Sequence, residues 1–401
     1  MELLPEHHAS HSSILTRPSM ARNTIRCLFN FVSLASLVLA APSSSDCTGT
    51  ISSLDDVSAA VKCTTVNVNS FTVPAGETFD LSLATGTTVN MLGDVTFGNK
   101  TWAGPLFQIS GDSITFNGNG HTFNGNGPFY WDGQGGNGGV TKPAPMIKIK
   151  ISGAWTNVKV LNSPTRVYSV SNPAALTMSK LTIDNSLGDQ PNSKSGGDAA
   201  GHNTDGFDCS TTNLVIEDST IMNQDDCLAI NKGSNITFQR NTCSGGHGIS
   251  IYLNRPVFFP PRLSQGSISS DVTVSNIMIT GNTIINNDQA LRIKTDASST
   301  GSSVSGITYS GNTATGMRQF GVLIDQSYPD TLGTPGTGVK LSGVNFVGSQ
   351  NTISVNSDAQ RVAVNCGSGS CTGTWDWSAL EVSGGSAGTI VNFSGIENFS
   401  Q

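Results

Sequence analysis

The sequence predicts an all-β, single-domain right-handed parallel β-helix, a solenoid of short stacked strands. Three observations carry that reading. Only 12 % of the 401 residues are charged while glycine is abundant at 45. Val and Ile recur in short alternating runs, and no long helical periodicity is present, as expected of strands joined by tight turns. A short phrase also repeats: Val215-Ile216-Glu217-Asp218-Ser219-Thr220, Ile236 to Thr242, Ile277 to Thr283 and Ile307 to Thr313, with Leu181 to Ser186 a looser copy. The closing threonines, Thr220, Thr242, Thr283 and Thr313, follow one another at steps of 22, 41 and 30. Units of that size bury a core only by stacking, and asparagine ladders can line their turns. Third, Asp205 and Asp226 are 21 positions apart and Asp225 and His247 are 22 apart. Parallel neighbours lie roughly 4.8 Å apart, so winding would bring these residues into one cluster. Asn117-Gly118-Asn119-Gly120 and Asn124-Gly125-Asn126-Gly127 are hairpin-type signals, which keep a sandwich or barrel as the rival architecture.

In chain order, residues 1–19 read as a gene-model extension, with Met20 as the start. Residues 20–40 read as a signal peptide: Arg22 and Arg26 precede an apolar stretch from Cys27 to Ala40 closed by small residues. That stretch is short for a membrane span, and a type II anchor is the alternative. Residues 41–46 form a short lead, and 47–401 form the coil. Export permits disulfides. With Cys27 removed, the pairings expected are Cys47–Cys63, Cys227–Cys243 and Cys366–Cys371, leaving Cys209 as a buried small apolar residue. No CxxC or paired-His spacing supports zinc. Asn99, Asn235, Asn392 and Asn398 begin glycosylation triplets. The formal charge of −7 and the lack of a basic stripe argue against a nucleic-acid partner.

The long step from Thr242 to Thr283 contains 252–265, a segment with three prolines and a bulky apolar patch. It reads as an in-frame insert, either untranslated intron sequence or a lid loop. Removing it brings the step down to 27 and joins Ile249-Ser250-Ile251 to Gly266-Ser267-Ile268.

The candidate chemistry is acid/base hydrolysis of a sugar chain. Such a reaction needs one carboxylic acid to protonate the leaving oxygen and one carboxylate to activate water. Asp205, Asp225 and Asp226 could supply both states, because crowding and partial desolvation hold a proton on one of them. Successive residues on a strand face opposite ways, so Asp225 and Asp226 can share a cleft only at a strand end, turn or bulge. His247, between Gly246 and Gly248, could support the acid or contact a sugar hydroxyl. Arg292 and Lys294 alternate along a strand and would grip a carboxylate-bearing sugar. Tyr328 could hydrogen-bond a sugar, and Asp208 is read as a turn or supporting carboxylate. The bland alternatives are a solvated Asp-Asp turn, a structural histidine and a solvated strand face.

The phrases Gly201-His202-Asn203-Thr204-Asp205-Gly206-Phe207-Asp208, Asn223-Gln224-Asp225-Asp226-Cys227, Cys243-Ser244-Gly245-Gly246-His247-Gly248 and Arg292-Ile293-Lys294 resemble those of fungal endopolygalacturonases of glycoside hydrolase family 28. The likeness runs from Cys47 to the end, apart from 252–265. It implies a right-handed parallel β-helix and inverting hydrolysis of α-1,4-galacturonan without a metal or other cofactor. It also implies roles: Asp225 as general acid, Asp205 and Asp226 activating water, His247 supporting the acid. Arg292 and Lys294 would bind a galacturonate carboxylate, with Tyr328 in the same cleft. The expected protein is a secreted, extracellular monomer acting on polygalacturonate or pectin, with no membrane association once the signal is removed. Exo-acting hydrolysis, a rhamnogalacturonan-cleaving hydrolase, a calcium-dependent pectate lyase and an inactive carbohydrate-binding paralogue remain as alternatives.

Overall fold

The structure is a computed structural model that describes residues 45–253 and 271–401. The expected extension, the signal segment and most of the lead lie outside the described residues, as do 254–265 of the expected insert. Every strand pairing within the described residues is parallel, and strands pair with the next coil rather than with a hairpin neighbour. The chain is therefore a parallel β-helix. No described helix is longer than four residues, and none is long and apolar enough to cross a membrane. The helix Val57–Ala60 packs on the first two strands and closes the amino-terminal end of the core, as a solenoid end requires.

The repeated phrase marks the coil register. Thr182 pairs with Thr220, Thr220 with Thr242, Thr242 with Thr283, Thr283 with Thr313 and Thr313 with Thr352. The coils from Thr182 to Thr220 and from Thr313 to Thr352 are nearly as long as the one from Thr242 to Thr283. The Thr242 to Thr283 step is thus close in length to two other coils of the ladder. Tyr252 and Leu253, the first two residues of the expected insert, belong to the strand Gly248–Leu253 and pair with Lys294 and Thr295.

The Asn-Gly signals turn corners between coils instead of making hairpins. Asn119 and Asn126 adopt left-handed backbone with φ of 54° and 55°, which asparagine tolerates better than most residues. Inside, aromatic rings fill the early coils, with Phe116 stacked on Trp155 at 4.0 Å and Tyr168 on Phe207 at 5.2 Å. Branched aliphatic side chains such as Ile216, Ile279 and Ile353 continue the core. Asn241, Asn282, Asn312 and Asn351 form a buried ladder at one corner. All three expected disulfides are present and Cys209 is free and buried. The four triplet asparagines are exposed.

Candidate active site

Five successive strands build the site: Phe207–Glu217, Asp226–Gln239, Gly248–Leu253, Gln289–Asp296 and Phe320–Tyr328. Asp205 lies just before the first, Asp225 just before the second, and His247 just before the third. The backbone ladder runs through them, with Gly206 N donating to Asp226 O at 2.9 Å and His247 N to Asp225 O at 2.8 Å. Asp226 and Leu228 pair with the consecutive residues Gly248 and Ile249, so a bulge at Cys227 separates them. That irregularity lets Asp225 and Asp226 face one cleft. The Cys227–Cys243 disulfide fixes the bulge to the strand Thr242–Ser244. Gly246 leaves no room for a side chain, because a Cβ there would lie 2.0 Å from Asp225 O. Gly248 has φ of +89°.

One cavity of about 260 Å³ is lined by all seven candidate residues: Asp205, Asp225, Asp226, His247, Arg292, Lys294 and Tyr328. His202, Asn203 and Tyr252 complete its wall. A neighbouring cavity of about 770 Å³ shares His202 and His247 and extends past Asp189 and Asp198 to Arg318.

Asp226 is 1 % exposed. Its Oδ1 accepts from Arg292 Nη2 at 2.8 Å and Ser250 Oγ at 2.7 Å, and its Oδ2 from Lys294 Nζ at 3.2 Å. Burial alone would raise its pKa, but Lys294 and Arg292 outweigh it and hold the carboxylate ionised below its usual value. Asp225 Oδ1 lies 3.0 Å from His247 Nδ1, and its Oδ2 accepts from Asn203 Nδ2 at 2.8 Å. Burial opposes ionisation here too, yet the His247 charge and hydrogen bond, with Lys294, keep Asp225 far below the carboxylate range.

Asp205 behaves in the opposite way. Desolvation, then the charges of Asp225, Asp208 and Asp226, push its pKa well above the ordinary value. Asp208 is not in a turn but on the strand Phe207–Glu217. Burial pushes it up to about 6, against the opposing pull of Arg166 at 3.7 Å. The surroundings thus favour a proton on Asp205 and disfavour one on Asp225. Burial disfavours the His247 imidazolium, but Asp225, Asp226 and Asp288 outweigh it and raise its pKa.

Several contributors were not singled out in the sequence. Ser250 donates to Asp226 and accepts from Arg292 Nε at 3.1 Å. Stacking Ile249-Ser250-Ile251 on Leu291-Arg292-Ile293 would have found it. Tyr252 packs against Tyr328 at 5.1 Å, and Lys294 Nζ lies 3.7 Å from its ring centroid. Asp288 Oδ2 faces His247 Nε2 at 3.5 Å. Arg318 holds Asp288 at 2.7 Å and donates to the carbonyls of Gly245 and Gly246 at 2.9 and 3.1 Å, fixing the turn that carries His247. No local phrase signals that contact across 73 residues. Donor atoms of Asp225, Asp226 and His247 lie within 4.8 Å of one another. Arg292 and Lys294 already occupy the Asp226 oxygens, however, and their charges would oppose a metal ion there.

A β-helical cleft that sets carboxyls of opposed proton affinity beside a cation pair is suited to acid/base hydrolysis of an acidic polysaccharide. Comparison with known proteins agrees at the level of class. The chain belongs to the glycosyl hydrolases family 28, whose family model matches residues 63–399, and it is a glycoside hydrolase. It is 42 % identical over 329 residues to endopolygalacturonase I of Aspergillus aculeatus, covering 80 % of each chain. It is 39 % identical over 363 residues to the probable endopolygalacturonase A of Aspergillus parasiticus, covering 88 % of this chain and 92 % of that one. Among solved structures it resembles endopolygalacturonase I from Stereum purpureum complexed with two galacturonate. The TM-score is 0.77 at 48 % identity, over 85 % of this chain and 96 % of the other.

Proposed function

We propose that this chain is a secreted endopolygalacturonase that hydrolyses α-1,4-galacturonosyl bonds of polygalacturonate with inversion. The observation that carries the reading is the single cavity in which Asp205, Asp225, Asp226 and His247 meet Arg292 and Lys294. Arg292 and Lys294 hold Asp226 ionised and also leave positive charge in the cleft for a carboxylate-bearing sugar. The relatives' names give the same substrate class.

Asp225 is the general acid in this reading, and Asp205 and Asp226 orient and deprotonate the attacking water. The surroundings favour a proton on Asp205 and His247 and disfavour one on Asp225, so Asp225 must acquire one to act as the acid. A galacturonate carboxylate on Arg292 and Lys294 shares their positive charge, which removes part of what keeps Asp225 ionised. The His247 imidazolium, at 3.0 Å, is placed to supply the proton. One observation favours a second assignment: the raised pKa of Asp205 suits it to be the proton donor itself. The two differ in which Asp→Asn variant a substrate with a good leaving group rescues, since such a leaving group needs no acid. Rescue of Asp225→Asn supports the first, and rescue of Asp205→Asn the second.

Three disulfides fit an oxidising compartment, which supports export led by residues 20–40, and the protein is read as a monomer. The test of endo-hydrolysis is viscosity against reducing-end release on polygalacturonate. An endo enzyme lowers viscosity long before sugar release is complete, and activity that survives EDTA without ultraviolet-absorbing products excludes a lyase. Parallel slow decline of viscosity would mean exo-action, and no release at all would leave a carbohydrate-binding protein.

A further inference from the structure

Three contacts fix the plane of the Asp225 carboxyl. Its Oδ1 faces His247 Nδ1 at 3.0 Å and accepts from Asp226 N at 2.8 Å, and its Oδ2 accepts from Asn203 Nδ2 at 2.8 Å. A side-chain amide can point either way, because its oxygen and nitrogen ends are nearly alike in shape. The contact that decides here is with Gly136, whose N donates to Asn203 Oδ1 at 3.0 Å. Turned over, the amide would set a donor against that N–H and an acceptor against the Asp225 carboxylate. Asn203 also has left-handed backbone, with φ of 51°, which asparagine adopts more readily than most residues.

Gly136 belongs to the loop 132–142, which comes from an earlier coil, 67 residues before Asn203. The loop is folded around an ion pair, Asp132 with Lys142 Nζ at 2.8 Å, whose members are 8 % and 6 % exposed. Asp132 also accepts from Gln134 N and Val140 N, both at 3.0 Å, and Lys142 Nζ donates to Val140 O at 3.1 Å. The loop is thereby closed on itself. It rests on the segment that leads to Asp205: Gly133 N donates to Ala200 O at 2.9 Å, and Asn137 Nδ2 lies 3.2 Å from His202 Nε2. Gly135, with φ of +56°, permits the close approach, since a Cβ there would lie 2.5 Å from His202 O and 2.6 Å from Asn203 Oδ1. None of the described residues 132–142 lines the cavity that holds the aspartates. A buried charge pair is a costly way to shape a loop, and this one reaches the catalytic groups through Asn203.

We infer that the loop 132–142, locked by Asp132 and Lys142, is a positioning element for Asp225: its Gly136 N–H sets the Asn203 amide so that the amide donates to the acid. This rests on the reading of Asp225 as a catalytic group in polygalacturonate hydrolysis. The carboxyl must keep one plane to meet the glycosidic oxygen, and a misplacement of about 1 Å costs on the order of 10²-fold in rate. The cations Arg292 and Lys294 are held by Asp226 and Ser250 instead. The loop therefore acts on turnover and leaves the grip on substrate.

The test is a double-mutant cycle in the whole protein, read as kcat and KM on polygalacturonate with the thermal midpoint alongside. Asn203→Ala should lower kcat by about ten- to a hundredfold, the range of a hydrogen bond to a charged group, with KM close to that of the parent. Asp132→Leu/Lys142→Met removes both charges together, which avoids a lone buried ion, and should lower kcat by about three- to tenfold. Gly135→Ala drives the loop off Asn203 with the ion pair intact and should act in the same way, which carries the test if the paired variant does not fold. In the Asn203→Ala background neither loop change should lower kcat further. Parent-like kcat in Asn203→Ala or in a folded loop variant would overturn the inference. So would a loss of equal factor with and without Asn203, or a loss confined to KM. A parent that releases no reducing ends from polygalacturonate would instead overturn the functional reading beneath it.

Discussion

Two columns of stacked polar side chains run through this coil under the same geometry. In one, Asn282 Oδ1 accepts from Asn241 N at 2.9 Å, Asn312 Oδ1 from Asn282 N at 3.1 Å, and Asn351 Oδ1 from Asn312 N at 3.1 Å. The amide groups of Asn241, Asn282 and Asn312 also donate to carbonyls of neighbouring coils, at Ile216, Phe238 and Ile279. Each asparagine is a donor and an acceptor, so identical residues satisfy one another when stacked. In the other column stand Asp205, Asp225 and Asp226, which are acceptors only when ionised. Stacking them creates repulsion that the fold offsets with Arg292, Lys294 and His247, and incompletely at Asp205. The neutral column holds the coil together. The charged column stores the unequal proton affinities that acid/base chemistry uses.

Substitutions separate the two. The largest effect is expected for Asp225→Asn, which should lower polygalacturonate hydrolysis by about 10² to 10⁴-fold and leave the thermal unfolding midpoint near that of the parent. Asn282→Ala should do the reverse. It strands the Asn241 N–H and the Phe238 carbonyl in the core and should cost about 1–3 kcal/mol in denaturant unfolding, with the rate per folded molecule retained.

Asp205→Asn should alter how stability depends on pH. A carboxyl whose folded pKa is raised contributes stability that is fully present below its unfolded value, near 3.9, and is lost as pH rises through the folded value. The parent should therefore lose stability from the ordinary carboxylate range upward. The variant should lack that component, so its stability relative to the parent should grow with pH. Titration by chemical denaturation would show it.

The smallest effect is expected for Asp288→Asn. His247 is faced by Asp225, Asp226 and Asp288, and each helps retain its proton. Removing the Asp288 charge, which sits beyond Nε2, should lower the pKa of His247. The alkaline limb of the pH–rate profile should move to lower pH. An unchanged limb would show that it does not report His247.

Much of this was legible because the ladder repeats residue types. The threonines at 220, 242, 283 and 313 do stack, and the pairing of the first two strands brings Cys47 to Cys63. The seven candidate residues line one cavity because their spacings match the coil. Loop length was not legible in the same way. The long step from Thr242 to Thr283 stands out in the sequence and suggests an insert, although the coils from Thr182 to Thr220 and from Thr313 to Thr352 are comparably long. The aromatic and proline-rich context of Tyr252 points to that insert, although its backbone continues a strand. Which carboxyl has the raised proton affinity also escaped the sequence. It depends on the sum of burial and every nearby charge, and three aspartates of one composition divide that sum differently. Arg318 lies 73 residues from Gly245, and only the wound chain shows that it braces the turn before His247.

The account turns on an acid and a separate water-activating pair that act in one displacement. Proton NMR of the first products released from polygalacturonate tests that most directly. The α-linked chain should yield new reducing ends that appear first as the β-anomer and then mutarotate. New ends that appear first as the α-anomer would mean a covalent glycosyl–enzyme intermediate and would contradict the roles given to Asp205, Asp225 and Asp226.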